Sequence, residues 1–385
     1  MKRKLFLLLF VIPAFVSAES LYSPTWGFGL DLPEGYDYID GDGKDRFSFS
    51  GPGWINFDLV VYNGAYNSVN DLAEDVNRRI GNKGSVDFFN YHDKKAAIME
   101  LNFGGFSGWA LCVTLARPSG AAATAAAPML IALSYSPADD AAKASNADLS
   151  LFHFSALDSI IPSNSERYYP GPIMEYCFPR GEQKSVPLAL SGASAMIRDN
   201  DAEAAQVLIE REFNVLANYA NTPYWQEAWL RYYRFIFRDS VDRVSDAASA
   251  LVRHLRANSG GDNAAADLAI TKKALAFVQG FKYERDLAKS DFVNLVTAVT
   301  EGRGDCDSRA MLWAIILAHA DIRAAMMVSR HYSHAMGLVD IAGDGARFES
   351  YGIKWLVAET TADVDLGLIA QDVSDPAHWI GIMFE

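Results

Sequence analysis

Residues 301–320, EGRGDCDSRAMLWAIILAHA, decide how this chain is read. Gly302 and Gly304 suit a strained turn that lets backbone and ligand approach closely. Cys306 then opens an apolar stretch of helical period. A free thiol has a pKa of about 8.5, and a helix N-terminus favours its thiolate form. The flanking acids, Asp305 and Asp307, work against that, because nearby negative charge raises a thiol pKa. Acids at a helix start also satisfy unpaired N–H groups. Asp305 is therefore expected to cap the helix and Asp307 to point away from the sulfur. Arg309, one turn on, is positioned to pair with one of them.

Downstream, AAMMVSRHYSHAMGLVDI (324–341), ARFES (346–350) and KWLVAETT (354–361) read as strands, with a Gly-Asp-Gly hairpin at 342–346. A helix followed by an antiparallel sheet brings three chemically useful residues within reach of one another. Cys306 sits at the helix start, His334 at a strand start and Glu359 on the next strand. An imidazole can take the thiol proton and return it to a leaving group. A carboxylate behind the imidazole fixes its tautomer and supports its charge. His331 is a rival base, but three residues before His334 in a strand it would face the opposite side.

These motifs, GRGDCDSRAMLWAIIL, HYSHAMGLV and WLVAETT, together with ALAFVQGFKYERD at 274–286, resemble in order the transglutaminase-like cysteine peptidase superfamily. The resemblance covers roughly residues 271–385. It implies a papain-like fold, with Cys306 as nucleophile, His334 as general base and Glu359 as orienting acid. The family more often carries Asp at the last position, and Asp340, Asp363 and Asp365 are the alternatives. It also implies that Gln279 supports an oxyanion, although the same residue reads equally well as a helix-surface glutamine. No cofactor is expected. Because some relatives hold Ca²⁺ on acids beside the cysteine, Ca²⁺ at Asp305 and Asp307 is an alternative.

The remainder of the 385 residues gives the setting. Residues 1–18, with Lys2, Arg3 and Lys4 before an apolar run and a Val-Ser-Ala end, read as a signal peptide. The chain is expected to be exported, periplasmic or secreted. Its net charge of −14, more negative still without the leader, argues against nucleic acid as a partner. Beyond the leader no stretch is long and apolar enough to be a transmembrane segment. Of three cysteines, Cys112 reads as a buried strand residue, and a Cys112–Cys177 disulfide is one available pairing.

Residues 19–162 read as an N-terminal α+β domain of strands, a capped helix, a strand meander and a closing amphipathic helix. The order resembles the Mog1/PsbP-like fold, with an α/β sandwich-like architecture. SVNDLAEDVNRRIG predicts a helix capped by Ser68 and ended at Gly81. The alanine-rich 118–128 reads as an exposed loop, and 163–190 as a Pro/Gly linker. Residues 191–265 read as a helical segment, with Thr222 as the cap of a helix starting at Pro223. The aromatic-rich run WQEAWLRYYRFIF is expected to pack against the rest. Residues 266–385 form the transglutaminase-like unit, and the fold class is α+β. The expected function is an exported cysteine peptidase or amidase working through an acyl-enzyme on a protein or peptide substrate. Amine-dependent crosslinking and an inactive envelope scaffold on the same fold are the alternatives.

Overall fold

The computed structural model describes residues 21–117, 126–138, 149–257, 263–285 and 290–384. The expected leader and most of the alanine-rich loop lie outside these residues. The fold class is α+β.

The N-terminal unit is a seven-stranded antiparallel sheet. Its strands run in the spatial order Asp37–Gly41, Arg46–Ser50, Asn56–Tyr62, Met129–Pro137, Phe106–Thr114, Lys94–Phe103 and Val86–Tyr91. Alternation along the strands divides two cores. Phe57, Leu59, Ile98 and Leu111 point to one face, where they meet Ala156 and Leu157 of the helix Leu149–Asp158. Ala97, Met99, Ala110 and Cys112 point to the other, under Leu72, Ala73 and Val76 of the helix Val69–Arg79. Ser68 caps that helix by accepting from the Asp71 N–H at 3.1 Å, and Gly81 follows its end at φ 62°. The closing helix is not amphipathic as expected. Phe152, His153, Ser155, Ala156, Leu157 and Asp158 are all buried, because helices cover its outer side too. WGFGLDLP supplies only the two-residue strand Gly29–Leu30.

The segment read as a linker is ordered. Pro172 stands at the start of a helix, Pro172–Cys177, and Asp158 accepts from the Ile173 and Met174 N–H groups there. Gly171 is required because a Cβ would lie 2.1 Å from the Asp158 carboxylate. Gln183–Pro187 then pairs with Ser194–Arg198. The helix expected to start at Pro223 begins at Trp225 and runs unbroken to Ala257. Thr222 is not its cap; the hydroxyl bonds within the preceding turn, accepting from Tyr224 N–H. All three cysteines are free, so the Cys112–Cys177 bridge does not form.

The C-terminal sheet has the order Arg347–Ser350, Ile353–Ala358, His334–Val339, Ala324–Ser329, Ile380–Ile382, and every pair is antiparallel. The helix Cys306–Ala318 lies on it and is buried on all sides. A single apolar core joins this helix to Tyr232, Ile236 and Leu251 of the long helix and to Leu275 and Val278 of the helix Asn263–Gln279. The division expected at 265/266 is therefore not a seam, since the helical segment and the last third of the chain share one interior. No helix among the described residues is long and apolar enough to cross a membrane.

Candidate active site

Two backbone features fix Cys306. Gly302 ends the helix Leu295–Glu301 in the left-handed conformation, at φ 67°. There Arg303–Gly304 joins Lys282–Tyr283 in a short parallel pair. Asp305 then caps the next helix, accepting from Ser308 N–H at 2.9 Å and from the Ser308 hydroxyl. This is the cap the sequence predicts, and it leaves Cys306 as the first helical residue.

The sheet register brings in the other two residues. Gly337 faces Ala358 across the ladder, so the chain just past Ala358 runs beside His334. His334 Nε2 and Glu359 Oε2 are 2.8 Å apart. The other Glu359 oxygen accepts from the Thr361 N–H and hydroxyl, at 2.7 and 2.6 Å. Burial pushes the Glu359 carboxyl up, but the bond and charge of His334 and the two Thr361 bonds outweigh it and hold the acid below its ordinary range. Cys306 and His334 line one cleft of about 210 Å³, and the backbone N–H of Ala335 lies near enough to the sulfur to favour its thiolate. Cys306, His334 and Glu359 are thus assembled in one place. His331 lies in the turn before the strand, stacked on His378 at 4.1 Å. Asp340 is at the far end of the His334 strand beside Arg323, and Asp363 and Asp365 line a different depression.

Gln279 is not at the cleft. Its amide donates to the carbonyls of Glu359 and Val364, both at 2.9 Å. It therefore holds the loop that carries the acid and has no donor left for an oxyanion. The first N–H groups of the Cys306 helix have no partner within the helix, which makes them the donors available to an oxyanion beside the sulfur. Arg309 also departs from expectation. It donates to the carbonyls of Gly304, Phe281 and Thr360 rather than pairing with either flanking acid. This ties the start of the Cys306 helix to the segment following Glu359.

The acids beside the sulfur form a buried cluster. One ligand atom each from Asp305, Cys306 and Asp307 lie within 4.8 Å of one another. Asp305 is fully buried, and its Oδ2 receives nothing from an N–H or hydroxyl. Asp307 Oδ1 accepts from the Tyr233 hydroxyl at 2.8 Å. Burial, then the charge of Asp305, push the Asp307 carboxyl well above the ordinary carboxylate range. Burial and the neighbouring acid thus both favour the neutral form of Asp307. Ca²⁺ takes six to eight oxygen ligands. Asp305 and Asp307 offer two carboxylates toward such a shell, and the third group of the cluster is the Cys306 sulfur, a soft donor poorly matched to that ion. The thiol is affected as well. Burial, then Asp307 and Asp305, push it well above its ordinary value, against the pull of the Ala335 N–H. The resting sulfur is a thiol, not the thiolate that helix position alone suggests.

Sequence reasoning missed the far wall of the cleft. Phe213, Leu216, Trp229, Tyr233 and Phe292 line it, and four of these come from the helical segment, two of them from the aromatic run expected to pack against the rest. Trp225, Trp229 and Tyr233 recur every four residues, a stripe that did signal one aromatic helix face.

No protein-family model matches the chain, and no curated protein matches it. Among solved structures it is similar to a chain from Parabacteroides distasonis described as a "putative protease". That likeness spans 86% of this chain and 70% of the other, at 10% identity and a TM-score of 0.22, too slight to carry a fold or an activity.

Proposed function

We propose that this protein is an exported cysteine hydrolase of the transglutaminase-like type, acting on peptide or amide bonds through an acyl-enzyme. The observation that carries the reading is the 2.8 Å His334–Glu359 bond at the mouth of the cleft that Cys306 lines. With Nε2 engaged by Glu359, the free ring nitrogen, Nδ1, is the one that serves the thiol. The Cys306 proton passes to that nitrogen as sulfur bonds to the substrate carbonyl carbon. The helix-start N–H groups receive the oxyanion. The C–N bond then breaks, and His334 returns the proton to the departing amine. Water, deprotonated by His334, attacks the thioester, and its proton returns to Cys306 as the carboxylic acid leaves. An amine in place of water would make the same site a crosslinker.

The buried, protonated thiol favours a second reading, a binding module with a silent site. One experiment separates the two. The mature protein is mixed with p-nitrophenyl acetate, nitrophenolate release is followed, and the acetyl group is mapped by peptide mass spectrometry. A burst of one equivalent with the acetyl on Cys306, slowed about 10²–10⁴-fold in His334→Ala, is expected. Absence of the adduct, or indifference to His334→Ala, overturns the enzyme reading. Adding glycinamide then distinguishes hydrolysis from amine transfer by its product.

A further inference from the structure

The wall of the cleft opposite His334 is apolar, and it is built outside the elements that carry Cys306, His334 and Glu359. Phe213 and Leu216 come from the helix Asp201–Ala217, and Trp229 and Tyr233 from the long helix. Each of Phe213, Leu216 and Trp229 is only half-buried, so each keeps apolar surface turned to the opening. The wall is also held in shape. Trp229 and Tyr233 contact ring to ring at 6.2 Å, and Tyr233 contacts Phe292 at 6.4 Å. The Tyr233 hydroxyl is tied to Asp307, and that of Tyr232 to Ser290 at 3.0 Å.

An aromatic wall can receive a cation or an apolar group. The charges around this one favour the apolar group. Asp291 is paired with Arg285, and Asp307 is tied to the Tyr233 hydroxyl in surroundings that favour its neutral form. The remaining charge on the lining is positive, Arg330, seated over Trp225. Each carboxyl on the lining thus already has a partner other than an incoming amine. Size narrows the occupant further. At about 210 Å³ the cleft is smaller than the roughly 300–1,000 Å³ of sites that enclose a whole ligand. It admits one side chain and the bond beside it.

We infer that this wall is the specificity pocket of the enzyme, receiving a bulky apolar or aromatic side chain on the acyl side of the bond that Cys306 attacks. Trp229, Phe213 and Leu216 are its specificity-determining residues. The inference rests on the hydrolase reading above, and its test uses the same assay so that the two fail differently. Acylation of Cys306 is compared for the p-nitrophenyl esters of acetate, 3-phenylpropionate, glutarate and 4-aminobutyrate. Each rate is divided by that of free N-acetylcysteine with the same ester. The expected result is a preference of about tenfold or more for phenylpropionyl over acetyl. That ratio falls toward one in Trp229→Ala and in Leu216→Ala. Leu216→Trp, which fills the pocket instead of emptying it, erases the preference by another route and serves if Trp229→Ala does not fold. If Cys306 is acetylated in a His334-dependent way but shows no phenylpropionyl preference, the pocket is overturned and the hydrolase reading stands. A glutaryl or aminobutyryl preference overturns it in favour of a charged substrate side chain. If no ester acylates Cys306, the hydrolase reading falls and the pocket with it.

Discussion

Two regions of this molecule bury acids, and they neutralise them by opposite means. Where the N-terminal unit meets the helices, the buried carboxylates of Asp158 and Glu212 each have a guanidinium. Arg211 bonds Asp158 at 2.7 Å and Glu212 at 2.8 Å, and Arg231 bonds Glu212 at 2.7 Å and the Asp31 carbonyl. Burial raises Glu212, but Arg231 and Arg211 outweigh it and keep the carboxyl below its usual range. At the Cys306 cluster neither Asp305 nor Asp307 has a cation at bonding distance among the described residues, and burial favours the neutral acid instead. The first arrangement locks two units together. The second costs stability, the kind of cost that polar groups at functional sites commonly carry.

The largest expected effect comes from breaking the paired region. Arg231→Met leaves Glu212 buried with one of its two cations gone and removes the bond to the Asp31 carbonyl. Urea unfolding should show a loss of about 3–5 kcal/mol. A loss below about 1 kcal/mol would mean that the junction is wetter and looser than its geometry suggests, and the contrast between the regions would fail.

His153 sharpens the comparison, because it is neutralised by losing a proton. It is buried against Ser134 and Ser136, and burial lowers its pKa to about 4. The folded pKa lies below the unfolded value of about 6.5. Below pH 6.5 the unfolded chain therefore binds the proton that the folded chain refuses. The stability this group protects is fully present above about pH 6.5 and drains away as pH falls toward 4, by up to about 3 kcal/mol. In His153→Gln this part of the acid limb of a stability–pH curve should vanish. An unchanged limb would assign acid sensitivity to other groups.

What the sequence made legible follows the same division between local and distant causes. The Ser68 and Asp305 caps and the turn at Gly302 are set by residues within a few positions of one another, and all are found as read. The meeting of His334 with Glu359 was legible because antiparallel register converts sequence spacing into distance. Gln279 and Arg309 were misread because their partners are carbonyls, which carry no side-chain signature. The 163–190 segment looked like a linker because Pro and Gly mark helix starts and close approaches as well as loops. The aromatic wall of the cleft could not be assigned from its helix alone, since packing and lining demand the same stripe. Only the placement of the long helix against Cys306 separates them.

The smallest effect on stability is the one that tests the unpaired region most directly. Burial and the charge of Asp305 push the Asp307 carboxyl up, so its folded pKa lies above its unfolded value. The sign is the reverse of the His153 case. As pH rises past the unfolded carboxyl value, near 4, the unfolded chain releases a proton that the folded chain keeps, and stability falls. Asp307→Asn keeps the shape and still donates a hydrogen bond to Asp305, but it has no proton to lose. At pH 4 the variant should match the parent, and at pH 8 it should be more stable by about 1 kcal/mol. The thiol should respond in parallel. With no second acid able to ionise beside it, Cys306 should titrate lower, which the pH dependence of its alkylation would read directly. A variant destabilised at pH 8 would mean that Asp307 is ionised and paired after all. The two regions would then neutralise their acids in the same way.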